Sequence, residues 1–109
     1  MELTKKHCVP CEGGIPPLTD EEEDSYLKET PTWTLIREGT HKLTKEFKFK
    51  DFKEAMIFLN KVADIANEED HHPNMHVYYN KVMLELYTHA INGLHENDFI
   101  VAAKVDDLK

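Results

Sequence analysis

The chain has 109 residues, 40% of them hydrophobic and 31% charged, with a formal net charge of −8. That length fits one domain with one modest core, and the balance is globular rather than disordered. The acidic excess excludes a protein that tracks nucleic-acid phosphates through Lys and Arg, and no apolar run approaches the roughly 18 residues of a membrane span.

Residues 1–17 read as an irregular arm ahead of a single domain over 18–109. The opening "MELTKKHCVPCEGG" has Lys5 and Lys6 but no apolar stretch behind them. It does not read as a signal peptide, and a cytoplasmic location is expected. Cys8 and Cys11, with His7 alongside, form a Cys-x-x-Cys pair, which is half of a zinc site. No second pair follows, and Gly13, Gly14, Pro16 and Pro17 stand where a redox motif would begin a helix. The pair is read as two reduced thiols in a loose arm.

"LTDEEEDSYLKET" predicts a helix over 20–29. Thr19 and Glu22 form a capping box, the acids from Asp20 to Asp24 form a solvated first turn, and Pro31 lies just beyond. "TWTLIREG" and "HKLTKEFKFK" predict a hairpin turning at Glu38-Gly39-Thr40. Trp33, Leu35 and Arg37 share one face, and so do Leu43, Lys45, Phe47 and Phe49.

"DFKEAMIFLNKVADIANEED" is the clearest helix. Asp51 and Glu54 form a second capping box, and Phe52, Met56, Leu59, Val62, Ala63 and Ala66 form the apolar stripe. His72-Pro73 closes it, because the residue before proline is pushed to extended geometry. "MHVYYNKVMLELYTH" predicts a second hairpin turning at Asn80-Lys81. Val82, Leu84 and Leu86 lie on its apolar face and His89 on the polar one. "LHENDFIVAAKVDDLK" predicts the last helix, with His95 at the N-cap, Leu94 and Phe99 as a hydrophobic staple, and Asp98 in the first turn. Phe99, Ala102, Val105 and Leu108 form its buried stripe. The order α-β-β-α-β-β-α predicts an α+β fold, a four-stranded antiparallel sheet with three helices packed on one face.

The histidines now have places. His71 and His72 stand at the exit of the long helix, and His89 ends the fourth strand. A turn at 80–81 sets residues near 72–73 opposite residues near 88–89, so three histidines converge with Asp98 in reach. Three chemistries fit: a hydrogen-bonded helix exit, a His–carboxylate metal site, and acid–base catalysis without metal. Adjacent residues in extended chain point to opposite sides, so His71 and His72 do not easily share one ion. Imidazole titrates near pH 6.5, so one histidine can give a proton while another takes one.

"DHHP", then "YYNKV", "LYTH", "NGL" and Asp98 together resemble the pterin-4a-carbinolamine dehydratase family, also known as the dimerisation-cofactor family. The likeness runs back through "FKFKDFKEAMIFLNKVA" to Trp33, and "CVPCEGGIPPL" is similar to the N-terminal segment of bacterial members. The resemblance implies dehydration of 4a-hydroxytetrahydrobiopterin to quinonoid dihydrobiopterin, with no metal or organic cofactor, which recycles pterin for aromatic amino-acid hydroxylases. It implies His71, His72 and His89 as the active-site histidines, with His71 and His89 as the acid–base pair and His72 holding the pterin. Asp98 matches the supporting acid, and Asp70, Pro73, Met75 and Thr88 fall within the matched substrate-binding segments. The implied partners are a small-molecule pterin and further copies of the chain, as a homodimer or homotetramer, with no membrane and no direct nucleic-acid contact.

Two positions depart from the family pattern. Asn67 stands where many members have Glu, and Met75 where many have Trp. Glu68, Glu69 and Asp70 are the neighbouring acids able to substitute for the first, and a Met thioether can pack on a flat ring in place of the second. These departures keep open a pterin site tied to molybdopterin metabolism. Some family members bind a homeodomain transcription factor, which keeps open a non-catalytic interaction role.

Overall fold

The computed structural model describes residues 2–10 and 13–108, so Cys11 lies outside the described residues. The elements are α1 (Asp20–Leu27), β1 (Thr34–Ile36), β2 (Lys42–Lys48), α2 (Phe52–Glu69), β3 (Asn74–Tyr78), β4 (Lys81–Leu86) and α3 (Glu96–Asp106). Short 3₁₀ turns lie at Leu3–Lys5 and His89–Ile91. The four strands form one antiparallel sheet, as the order of elements predicts, and the structure arranges them β1-β2-β4-β3. Leu43 and Phe47 of β2 and Val82, Leu84 and Leu86 of β4 face the helices. They meet Phe58, Leu59 and Val62 of α2 and Phe99, Ala102 and Val105 of α3. Among the described residues no helix is long and apolar enough to cross a membrane.

The caps hold largely as expected. Thr19 and Glu22 make both bonds of the capping box, and so do His95 and Asp98. Asp51 accepts from the Glu54 amide at 2.9 Å, the forward half of the second box. α2 ends at Glu69, where Asp70 turns left-handed (φ 52°), ahead of the His72-Pro73 step that sequence assigned as the stop. Asp tolerates that conformation better than most residues.

Several expectations are corrected by packing. The buried line of α2 runs through Ala55, Phe58, Leu59, Val62 and Ala66, while Phe52 is 49% exposed. The helix carries more apolar residues than one stripe needs, and the small Ala55 and Ala66 let it approach its neighbours closely. α3 is buried from Asn97 through Ala103, because the Leu3–Lys5 turn, α1 and α2 all pack on it. The second hairpin turns at Tyr79-Asn80, one residue earlier than expected, since Tyr78 pairs with Lys81 and Tyr79 takes φ 54°. The acidic run is not wholly solvated either. Glu23 is fully buried, held by Arg37 at 3.0 Å and His41 at 2.8 Å, which ties α1 to the first hairpin.

The arm is docked rather than loose. Leu3 is in the core, Lys104 donates to the Thr4 carbonyl at 3.1 Å, and the Leu18 amide bonds to the Leu94 carbonyl at 2.9 Å. Gly93 is required where the arm crosses, because a Cβ there would sit 2.7 Å from Pro17 Cβ.

Candidate active site

The helix exit and the loop between β4 and α3 meet as the sequence implied. Antiparallel pairing of Asn74 with Glu85 aims the chain before β3 at the chain after β4. β4 stops at Leu86. His89 is therefore not a strand residue but opens the 3₁₀ turn, with Thr88 as its N-cap. Thr88 bridges Gly93 (N to O 2.8 Å) and closes that loop.

A cleft of about 450 Å³ opens here. Asp70, His71, His72, Pro73, Thr88 and His89 line it. Asp98 lies beneath, fully buried, and receives His71 Nε2 at 2.6 Å on Oδ1. Its Oδ2 accepts from the Thr88 hydroxyl at 2.8 Å and from the His95 amide at 3.0 Å. A buried carboxylate is tolerated when its lone pairs are occupied in this way. Its place in the first turn of α3 adds the favourable end of the helix dipole.

His72 is exposed and reaches Asn67 Oδ1 at 3.0 Å. The departure at position 67 therefore keeps a side-chain oxygen acceptor for this histidine. Glu69 does not substitute, since it turns to the arm and accepts from the Cys8 amide at 2.7 Å. His89 is exposed, and its ring lies 4.2 Å from that of Tyr87, centroid to centroid. Met75 stands apart from the cleft. It pairs with Leu84 on edge strand β3 and is 38% exposed. The aromatic surface of the cleft comes from Tyr87 instead.

Sequence reasoning missed Pro10, Asn74, Tyr87, Ala90 and Asn97 as cleft residues. Tyr87 and Asn97 adjoin recognised positions, so adjacency was the available signal. Pro10 had none, because its place depends on how the arm docks.

The electrostatics around the arm are distinct. Burial opposes ionisation of Glu69, but the Cys8 amide, His7 and Lys104 outweigh it and hold the carboxyl below the ordinary glutamate value. Burial, with the nearby Glu69 and Asp98 carboxylates, pushes the Cys8 thiol up to about 12. Among the described residues two His–carboxylate groups bring ligand atoms within 4.8 Å, His7/Glu68/Glu69 and Asp20/Glu23/His41. Neither contains a cleft histidine. In each the buried carboxylate already faces a cation, Lys104 at 3.5 Å or Arg37 at 3.0 Å.

The family model described as "Pterin 4 alpha carbinolamine dehydratase" matches residues 16–108. A protein of Methylococcus capsulatus named "Putative pterin-4-alpha-carbinolamine dehydratase" is 49% identical over 106 residues, 97% of this chain and 92% of that protein. A crystal structure from Brucella melitensis, described as a transcriptional coactivator/pterin dehydratase, superposes with a TM-score of 0.78 at 35% identity, covering 84% of this chain and 97% of that one. A pterin dehydratase-like protein identified as a RuBisCO assembly factor in the alpha-carboxysome superposes with a TM-score of 0.60 at 26% identity, covering 71% of this chain and 88% of that one. With the family model, the relatives and the fold in agreement, the chain belongs to the pterin 4-alpha-carbinolamine dehydratase family.

Proposed function

We propose that the cleft dehydrates a 4a-hydroxytetrahydropterin, 4a-hydroxytetrahydrobiopterin, to the quinonoid dihydropterin by histidine acid–base catalysis. A carbinolamine carries its hydroxyl on the carbon next to a ring nitrogen. Breaking the C–O bond requires a proton on the departing hydroxyl, which leaves as water. Losing the proton of the neighbouring nitrogen then completes the C=N bond. Two groups that exchange protons near neutral pH meet that demand.

The observation that carries the reading is the 2.6 Å contact between His71 Nε2 and the buried Asp98. With Nε2–H donated to the carboxylate, Nδ1 is the nitrogen left to exchange a proton, and Asp98 stabilises the imidazolium that forms. His89, across the cleft, is the second acid–base group. His72, steadied by Asn67, positions the ring, while Asp70, Pro73 and Thr88 shape the cleft around it.

The test is a dehydration assay in which a phenylalanine hydroxylase generates the carbinolamine in situ and its loss is followed by ultraviolet absorbance. Wild type accelerates the loss, and His71→Ala and His89→Ala each lower the rate by about a hundredfold or more. A folded wild type no faster than buffer overturns the reading. It would shift weight to another pterin substrate or to an assembly role of the kind named for the RuBisCO factor.

A further inference from the structure

Two of the arm's attachments lie next to the residues that build the cleft. The Cys8 amide donates to Glu69 Oε1 at 2.7 Å, two residues before His71. The Val9 amide donates to Asn97 Oδ1 at 3.1 Å, and Asn97 Nδ2 donates to the Val9 carbonyl at 2.7 Å, one residue before Asp98. The Cys8 thiol adds a 3.6 Å contact to the Asn97 carbonyl. Asn97 is only 2% exposed. A carboxamide has one accepting end and one donating end. Here both face the same residue of the arm, in the manner of a β-ladder pair.

Pro10 follows at once and lines the cleft. It has no amide hydrogen and a locked φ, so it offers a stiff apolar surface. The arm then passes close to Ala90, another cleft residue. Gly13 has φ +85°, and a Cβ on it would lie 3.2 Å from the Ala90 carbonyl oxygen.

We infer that Pro10 is a ligand-contacting wall of the cleft and that Asn97 is the positioning residue that holds it there. The identity of the ligand rests on the pterin reading above. A flat heterocycle needs an apolar face to lie against. Met75, the sequence candidate for that surface, is elsewhere, and Tyr87 is engaged with the His89 ring. The pair Asn97–Asp98 thus serves two walls at once, one residue gripping the arm and the next gripping His71.

The test compares wild type with Pro10→Gly and Asn97→Ala. Each is titrated with 7,8-dihydrobiopterin by calorimetry and assayed for kcat and KM. Both variants are expected to raise the dissociation constant and KM by about tenfold, with kcat within about twofold of wild type, since the acid–base pair is untouched. A purely structural role for Asn97 would lower kcat and stability without a selective rise in KM. Pro10→Gly, at an exposed position, keeps the test valid if Asn97→Ala folds poorly. Unchanged affinity and KM in Pro10→Gly overturn the inference and leave the pterin reading standing. A wild type that does not bind the probe overturns both.

Discussion

His71 and Asp98 lie 27 positions apart in the chain and meet at 2.6 Å, the imidazole at the cleft and the carboxylate sealed beneath it. Their contact joins the exit of α2 to the first turn of α3. Asp98→Asn keeps the shape but removes the charge and places an amide among groups that donate. The expected result is a fall of about a hundredfold in the dehydration rate with an unchanged circular dichroism spectrum. A rate near wild type would mean that Asp98 is only a helix cap.

Thr88 supplies one of the bonds that Asp98 depends on. Thr88→Val keeps the volume and deletes the donor to a buried charge. Urea denaturation should show a loss of about 1.5–3 kcal/mol. A smaller loss would show that another donor takes its place.

Glu23 is fully buried, with Arg37 and His41 as partners. Arg37→Ala leaves a buried carboxylate short of a cation, whereas replacing both residues by apolar ones does not. Thermal denaturation should therefore rank wild type above Arg37→Ala, with the double variant Glu23→Leu/Arg37→Met recovering part of the loss. A double variant no more stable than Arg37→Ala would show that His41 alone already compensates the buried charge.

Glu69 links the arm to acidity. Its folded-state pKa lies below the ordinary value of 4.5, so its stabilising effect is complete above that value and is lost as pH falls through the folded-state pKa. The Cys8 amide chemical shift should therefore move in acid, while sheet amides such as that of Leu84 hold. Glu69→Gln, which keeps an acceptor but not the charge, should abolish that step. An unchanged step would assign it to another group.

Cys8 is expected to be a poor nucleophile, with its thiol pushed up to about 12 by burial and by the Glu69 and Asp98 carboxylates. Alkylation by iodoacetamide at neutral pH, followed by mass spectrometry, should run at least about tenfold slower at Cys8 than at an ordinary thiol. Glu69→Gln weakens the arm's anchor and removes one of the opposing charges, so it should speed the reaction. Rapid alkylation of the wild type would show that the arm opens readily.

The strands, the helices, the capping box at Thr19 and the N-cap at His95 were legible because each is local, a period or a short spacing. The convergence of His71, His72 and His89 was legible because a hairpin fixes register, even with its turn placed one residue too late. The role of Asn97 was not legible, because its partner Val9 is 88 positions away. Met75 misled for a different reason. Position in a motif says which strand a residue occupies, but not which of its residues faces the cleft: Asn74 at the start of β3 lines it and Met75 beside it does not. The burial of Glu23 was hidden because an acidic helix start looks the same whether or not an arginine from the following hairpin loop folds over it.

The contacts between the arm and α3 have consequences for assembly during synthesis. Thr4 bonds to Lys104 across 100 positions, and Val9 to Asn97 across 88. Closing such long loops is entropically costly and is favoured only once both ends exist. A ribosome releases the arm well before α3, the helix that carries its docking surface. The sheet and α2 can form while the arm waits, so Pro10 takes its place in the cleft only once α3 has been made.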